Sequence, residues 1–209
     1  MNIKVDYCFY KEYIKLDSNF EVKMKKRIKD IRDNVSYKDS EKLDDDCLIQ
    51  EYFVEVFSWT ALPYNTLTTI YKIIREYATT LLDPCCGNSF HTYLFETFTD
   101  MKCISYDIQD EPNSWTTITV KDGLESFNEL SNHTNTCLMM SWIDYDELSV
   151  KLLETYKGNI VLCIGNYYET NPNFECVKKL AREYTTIFRT RLLMPWNLLE
   201  TIEIYVRSI

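Results

Sequence analysis

Two carboxylates and a glycine in the second half of the chain have the spacing of a nucleoside-binding site. Asp83 ends the apolar segment TTLLD and precedes a short turn with Gly87, one of only four glycines in the 209 residues. Asp107 ends the next apolar segment, KCISYD, twenty residues after Gly87. A glycine lets the backbone approach a ligand closely, and an acidic residue at that distance commonly binds ribose hydroxyls. The alternatives are a plain strand–turn–helix junction at Asp83 and a solvated strand end at Asp107.

Two further apolar segments are followed by residues that suit the same site. Asp122 follows TTITV after one intervening residue, and the segment TCLMMSWIDYD contains Ser141, Trp142 and Tyr145. The favoured alternative for Asp122 alone is a helix N-cap, and Trp142 and Tyr145 are more often packing residues than site residues. All four positions follow strand-like segments in chain order, which favours one shared site over four unrelated features.

The elements that must position these residues alternate between strand and helix from residue 79 onward. Such alternation predicts an α/β fold with a doubly wound, mostly parallel sheet covered on both faces. The last two strands, TTIFRTRLL and TIEIYVRSI, have no helix between them and predict a C-terminal antiparallel hairpin. We therefore expect a seven-stranded Rossmann-like domain over 79–209. Ligands of such sheets bind at the carboxyl ends of the strands, where the strand order reverses.

Residues 1–78 are predicted to form a helical N-terminal extension that covers the substrate side of the crevice. In NFEVKMKKRIKDIRDNV, apolar residues recur at helical spacing. These residues are Met24, Ile28, Ile31 and Val35. The basic opposite face is interpreted as a solvated surface in preference to a site for RNA or an acidic partner. The residues of the extension expected nearest the crevice are Trp59, Pro63, Tyr64 and Asn65.

Composition and charge exclude several classes of protein. Hydrophobic residues make up 45% of the chain and charged residues 26%, which excludes a disordered chain. No stretch approaches the roughly 18 consecutive apolar residues of a membrane span, and the N-terminus lacks the apolar core of a secretory signal. A cytoplasmic or nuclear protein is expected. Residues 81–209 carry 10 basic and 18 acidic side chains, which argues against a large nucleic-acid footprint.

No metal site is predicted. The eight cysteines are scattered and form no CxxC pair, so reduced structural thiols are expected in preference to disulfides or zinc ligands. The three consecutive carboxylates at 44–46 suit the N-terminus of a helix. Neighbouring residues on a helix point in different directions, which disfavours a shared metal ion at 44–46.

The segment LLDPCCGNSFH resembles the first motif of S-adenosylmethionine-dependent methyltransferases, in the DPxCGSG form found among RNA- and DNA-methylating enzymes. The resemblance covers about residues 60–209 and implies S-adenosylmethionine as the cofactor. Asp83 and Gly87 would border its methionine part, Asp107 its ribose and Asp122 its adenine amino group. The cofactor-binding residues implied are Asp83, Cys85, Gly87, Asp107, Ile108, Asp122, Ser141 and Trp142.

The catalytic residues are less well defined by the resemblance. Enzymes that methylate exocyclic amino groups carry Asp or Asn followed by Pro-Pro-aromatic after the fourth strand, whereas this chain has SWIDY. Asp144 and Tyr145 are the candidate catalytic residues. His91 is a third candidate base, although we interpret it as a packing or surface residue. The expected activity is methyl transfer to an unidentified acceptor.

Two alternatives remain open. The first is a catalytically silent methyltransferase-fold subunit that binds a protein partner through an exposed apolar patch. The second is a nucleotide-binding oxidoreductase, which the absence of a three-glycine phosphate turn disfavours.

Overall fold

The computed structural model describes residues 7–34, 50, 53–109, 114–129, 134–143, 146–165, 174–194, 196 and 198–208. The helices are α1 (Lys11–Leu16), α2 (Ser18–Asn34), α3 (Tyr64–Ile74), α4 (Phe90–Phe98), α5 (Gly123–Glu129), α6 (Asp146–Thr155) and α7 (Phe174–Glu183). The strands are β1 (Thr80–Asp83), β2 (Lys102–Asp107), β3 (Thr119–Val120), β4 (Thr136–Ser141), β5 (Ile160–Ile164), β6 (Tyr184–Leu193) and β7 (Leu199–Arg207). The candidate catalytic residues Asp144 and Tyr145, and the acidic run at 44–46, lie outside the described residues.

All seven strands form one sheet in the order β3-β2-β1-β4-β5-β7-β6. Strands β1 to β5 pair in parallel, whereas β7 runs antiparallel to both β5 and β6. The predicted doubly wound sheet with a C-terminal antiparallel hairpin is confirmed. The strand order reverses between β1 and β4, because the chain moves outward on one side through β2 and β3 and then returns. Strand β3 is shorter than the predicted TTITV, because it pairs only with Tyr106 and Asp107 at the end of β2.

Two hydrophobic cores lie on opposite faces of the sheet. Alternate strand residues point to opposite faces, so in β1 Leu81 belongs to the first core and Leu82 to the second. The central strands β4 and β5 are buried on both faces and are almost entirely apolar, as parallel strands covered by helices must be. Helices α5, α6 and α7 supply residues to the second core. Helices α1 to α4 supply residues to the first.

The described part of the N-terminal extension shares the first core with the sheet. Tyr10 and Phe20 are fully buried there together with Phe90 of α4, and the Tyr10 and Phe90 rings meet edge to face at 5.5 Å. Trp115 joins the same cluster, and its indole N–H donates to the Val56 carbonyl over 2.8 Å. The extension is therefore packed against the face that carries α4. The boundary at residue 78 stays a prediction. None of the helices in the described ranges is long and apolar enough to cross a membrane.

Candidate functional site

A cavity of about 370 Å³ opens at the carboxyl ends of β1, β2 and β4, where the strand order reverses. Three strand-end residues line it: Asp83 of β1, Asp107 of β2 and Ser141 of β4. Its volume lies in the range of small-molecule sites, and its place is the one where ligands bind in doubly wound sheets. The sequence prediction that these strand ends form one site is consistent with this geometry.

Two hydrogen bonds hold the turn after β1 to the end of β2, and one of them joins the Cys86 amide N–H to the Tyr106 carbonyl oxygen over 3.0 Å. The Gly87 amide N–H donates to Asp107 Oδ2 over 2.8 Å, and the Gln109 amide N–H donates to Oδ1 over 3.2 Å. Gly87 has a φ of +50°, a left-handed conformation that glycine adopts without strain. Each Asp107 oxygen has a second lone pair, so the carboxylate can accept two further hydrogen bonds from a ligand in the cavity.

Asp83 is a buried carboxyl group at the floor of the cavity. Its side chain is 2% exposed and accepts a hydrogen bond from Thr92 Oγ1 over 2.8 Å. Thr92 in turn accepts one from Ser105 Oγ over 3.0 Å. Burial raises the pKa of Asp83 to about 7, and the nearby negative charge of Asp107 acts in the same direction. A cationic ligand group beside Asp83 would restore its ionised form.

His91 and Ser141 form a polar wall on another side of the cavity. The His91 ring is 4% exposed, and its Nδ1 lies 3.0 Å from Ser141 Oγ. Its Nε2 lies 2.9 Å from the Thr60 carbonyl oxygen and 3.1 Å from Ser58 Oγ. Burial lowers the pKa of His91 to about 4, so the imidazole is neutral at physiological pH. The interpretation of His91 as a packing residue accounts for its burial. The residue also lines the cavity.

Two tryptophans border the mouth of the cavity. Trp142 follows β4 with a φ of +50°, and its indole N–H donates to Thr60 Oγ1 over 2.7 Å. Its ring centroid lies 5.4 Å from that of Trp59. Gly165, after β5, leaves room for this ring, since a Cβ there would lie 3.1 Å from the indole nitrogen. Trp142 is thus a fixed aromatic wall, half-buried and accessible to a ligand on one side.

The N-terminal extension also contributes to the cavity. The residues that it adds to the lining are Arg27, Ile31, Val54, Glu55, Ser58 and Trp59. Arg27 is 8% exposed, and it donates from Nε and Nη2 to the carbonyl oxygens of Val56 and Glu55. Among the described residues that line the cavity, it is the only positively charged side chain, since the His91 imidazole is neutral. Sequence reasoning assigned the basic residues of this helix to solvent and missed Arg27.

Some residues predicted from the sequence lie elsewhere. Asp122 is exposed and caps α5, because its Oδ1 accepts the Glu125 amide N–H over 2.9 Å. Ile108 is 67% exposed. Neither residue lines the cavity, whereas Asp83, Cys85, Gly87, Asp107, Ser141 and Trp142 do.

The segment before α3 also differs in part from expectation. Of the four extension residues placed nearest the crevice, Trp59 lines the cavity, whereas Pro63, Tyr64 and Asn65 do not. The fully buried side chains of Ala61 and Leu62 account for this, because they anchor the chain in the first core before α3 begins.

The thiols of the cavity are not activated nucleophiles. Burial raises the pKa of the Cys85 thiol to about 12, and the Asp83 carboxylate adds to this effect. Burial raises the pKa of Cys86 well above its usual range for the same reason. Free thiols are found at Cys85, Cys86, Cys103, Cys137, Cys163 and Cys176.

No protein-family profile matches the chain, and no curated protein is detectably similar to it in sequence. Several solved structures are similar. An rRNA methylase from Streptococcus thermophilus is 12% identical with a TM-score of 0.49, over 68% of this chain and 95% of that one. Magnesium protoporphyrin IX methyltransferase from Synechocystis, with bound S-adenosylhomocysteine, is 10% identical with a TM-score of 0.49, over 79% and 100%.

A third similar structure is 1,6-didemethyltoxoflavin-N1-methyltransferase from Burkholderia thailandensis, with bound 1,6-didemethyltoxoflavin and S-adenosylhomocysteine. It is 9% identical with a TM-score of 0.48, over 68% of this chain and 77% of that one. Because all three pairs share 12% identical residues or fewer, the chemistry of the cavity has to be derived from its own side chains.

Proposed function

We propose that the chain binds S-adenosylmethionine in this cavity and transfers its methyl group to an acceptor that is still to be identified. The observation that carries the proposal is the convergence of Asp83, Gly87 and Asp107 on one cavity at the switch point of the sheet. These are the residues of the first motif and of the second strand end that the methyltransferase resemblance implies.

The charges of the cavity suit this cofactor. The described lining residues include three carboxyl groups, of Glu55, Asp83 and Asp107, and one cation, Arg27. S-adenosylmethionine presents two cationic groups, a sulfonium and an ammonium, and one carboxylate. Asp83 is therefore assigned to the ammonium group of the methionine part, and Arg27 is assigned to its carboxylate.

Asp107 suits the ribose. Its two oxygens are fixed by backbone N–H groups and each keeps a lone pair for a hydroxyl. The Gly87 turn carries no side chain that would separate the backbone from the ligand, and no heavy atom lies within 4 Å of the place of its absent Cβ. The Trp142 ring offers an apolar surface for a planar group. The roles of Ile108 at the adenine and of Asp122 at its amino group stay predictions.

The residues of the chain contribute chiefly by alignment. The sulfonium supplies an activated methyl group when the cofactor is bound, so little further activation of the donor is required. The cavity walls hold the acceptor in line with that methyl group and exclude water, which can supply much of the rate acceleration. Asp144 and Tyr145 remain the proposed catalytic residues from the sequence.

Titration calorimetry tests the proposal. We expect S-adenosylmethionine and S-adenosylhomocysteine to bind with one-to-one stoichiometry, and NAD⁺ not to bind. Asp107→Asn should weaken binding about tenfold or more, because a charge-assisted hydrogen bond contributes about 1.5–3 kcal/mol. Glu76→Gln, at an exposed residue that does not line the cavity, is the matched control. Binding of NAD⁺ alone, or no binding of either adenosyl ligand at high micromolar concentration, would contradict the proposal.

A further inference from the structure

The polar wall formed by His91 and Ser141 has a defined hydrogen-bond direction. The Thr60 carbonyl oxygen can only accept, and His91 Nε2 lies 2.9 Å from it, so Nε2 carries the hydrogen of this bond. Ser58 Oγ donates to the same carbonyl over 2.8 Å and therefore accepts from Nε2. A neutral imidazole carries one N–H, so His91 Nδ1 must be the acceptor. The Ser141 hydroxyl consequently donates to Nδ1 over 3.0 Å.

This direction leaves the oxygen of Ser141 as an acceptor toward the cavity. A hydroxyl has one hydrogen and two lone pairs, and the hydrogen of Ser141 is used by His91. Ser141 lines the cavity at the end of β4. A group that occupies the cavity beside Ser141 can therefore form a hydrogen bond with it only by donating an O–H or N–H.

We infer that Ser141 and His91 form a proton relay that receives the proton of the methyl acceptor, and this inference rests on the proposed methyl transfer. The lone pair of the acceptor forms the bond to the methyl carbon, and the electron pair of the broken carbon–sulfur bond stays on sulfur. The acceptor's proton passes to Ser141 Oγ as the Ser141 proton passes to His91 Nδ1. The resulting imidazolium, held at Nε2 by Thr60 and Ser58, releases its proton to solvent when the products leave.

The relay keeps the charge of the buried site constant. Methyl transfer removes the positive charge of the sulfonium, and proton transfer places one positive charge on the imidazole. Creating a charge in a buried cavity is costly, whereas moving one between neighbouring groups avoids most of that cost. His91 touches the acceptor only through Ser141, so Ser141 is the catalytic residue and His91 the positioning residue and final proton acceptor.

The relay selects a class of acceptor. Because burial lowers the pKa of His91 to about 4, the ring cannot take a proton from an aliphatic ammonium. It can take one from a weakly basic nucleophile, whose methylated form is far more acidic than an aliphatic ammonium. The acceptor class is therefore a neutral hydroxyl or a neutral amine conjugated to a ring.

Nitrogen-15 NMR of the histidine side chains tests the relay without knowledge of the natural acceptor. The chain has two histidines, so a His133→Gln variant assigns the signals of His91. In the unmodified chain we expect His91 to carry its hydrogen on Nε2 and to stay neutral from pH 6 to 8. Phenol is the hydroxyl probe and aniline the amine probe. In protein loaded with S-adenosylhomocysteine, each should shift the Nδ1 resonance of His91 in a saturable manner. Anisole, which lacks a donor, should not.

Two variants locate the response. Ser141→Ala should abolish the shift of the Nδ1 resonance that phenol causes. Ser126→Ala removes a buried hydroxyl of α5 that does not line the cavity and should preserve the shift, so it is the matched control. A response to phenol alone would assign a hydroxyl acceptor, and a response to aniline alone an amine.

The outcomes separate the relay from the proposed function. Failure of S-adenosylhomocysteine to bind the unmodified chain in calorimetry would overturn the proposed function. The relay is wrong if S-adenosylhomocysteine binds but neither phenol nor aniline shifts the His91 Nδ1 resonance. It is also wrong if the hydrogen lies on Nδ1. In both cases the cofactor site stands. An equal response to anisole and phenol would also overturn the relay, because it would show contact without hydrogen bonding.

Discussion

The amide of Gly87 donates a 2.8 Å hydrogen bond to the carboxylate of Asp107, which joins the turn after β1 to the carboxyl end of β2. The bond requires Gly87 to keep its φ of +50°. It fixes the two residues that the sequence placed in one nucleoside-binding pattern, and it orients the Asp107 carboxylate toward the cavity.

Gly87→Ala should therefore lower the free energy of unfolding by about 1–2 kcal/mol, the cost of left-handed backbone in a residue with a Cβ. The Cβ itself meets open space, so the cost is confined to the backbone. Gly87→Asn should cost less, because asparagine tolerates this conformation. Urea denaturation measures both values. If Asn costs as much as Ala, steric exclusion rather than backbone conformation selects glycine here.

Gly123→Ala should be more damaging, although Gly123 lies in a helix and alanine favours helices. A Cβ on Gly123 would overlap the carbonyl oxygen of Pro84 in the turn after β1. Relief requires a backbone shift, and overpacking of this kind costs about 1–3 kcal/mol. Urea denaturation should place this variant below wild type, by an amount that exceeds any gain in helix propensity. Unchanged or raised stability would show that α5 does not abut the turn.

Asp83 should make the free energy of unfolding fall as pH rises. Its pKa in the folded chain is about 7, above the usual 3.8 of an aspartate, so the folded state favours the protonated form. The contribution is present below about pH 4 and is lost as pH rises through about 7. Asp83→Asn removes this titration and keeps an acceptor for Thr92. The stability of the variant relative to wild type should increase between pH 4 and 7, by up to about 4 kcal/mol at 1.36 kcal/mol per pKa unit.

The same titration should affect cofactor binding. Ionised Asp83 suits a cationic ligand, so the affinity for S-adenosylhomocysteine should increase from pH 6 to 8 in wild type and stay flat in Asp83→Asn. Calorimetry at three pH values measures this. An affinity independent of pH in wild type would show that Asp83 does not bind the ligand's ammonium group.

His91 should make the free energy of unfolding rise as pH rises, which is the opposite of the effect of Asp83. Burial lowers its pKa from 6.5 to about 4, so its contribution to stability is present above about pH 6.5 and is lost as pH falls through about 4. His91→Gln places an amide where Nε2 lies and removes the titration. The stability advantage of wild type over this variant should shrink by up to about 3 kcal/mol between pH 6.5 and 4. An advantage that grows on acidification would mean that the ring is stabilised in its charged form.

Arg27 should distinguish ligands by their amino-acid part. Arg27→Met should weaken S-adenosylhomocysteine about tenfold, as loss of one charge-assisted contact implies. The affinity for methylthioadenosine, which has no carboxylate, should be nearly unchanged. Equal losses for both ligands would assign the effect to displaced carbonyl oxygens of Val56 and Glu55 rather than to the carboxylate.

The sequence predicted the sheet well because its strands are buried on both faces. Strands such as TCLMMS and IVLCI are almost entirely apolar, and the helix after IVLCI carries a clear amphipathic period. The strand-end residues Asp83, Asp107 and Ser141 then had to meet, since parallel strands end at one edge. The local role of Asp122 was ambiguous, because a strand-end carboxylate and a helix cap have the same sequence signal.

Contacts between distant segments were less predictable. Arg27 lies with Met24, Ile28 and Ile31 on one stripe of α2, and that i, i+3, i+4, i+7 spacing could have indicated its burial. No local pattern joins His91 to Thr60, because their hydrogen bond spans 31 residues and depends on how the extension packs against α4. The residues that line the cavity from the extension are consequently those that sequence reasoning located least well.

A crystal structure of the chain grown with S-adenosylhomocysteine tests the central claim most directly. We predict that both ribose hydroxyls lie within hydrogen-bond distance of the Asp107 carboxylate. The homocysteine part should lie between Asp83, Gly87 and Arg27. Ligand density at another edge of the sheet, or a ribose turned away from Asp107, would contradict the account.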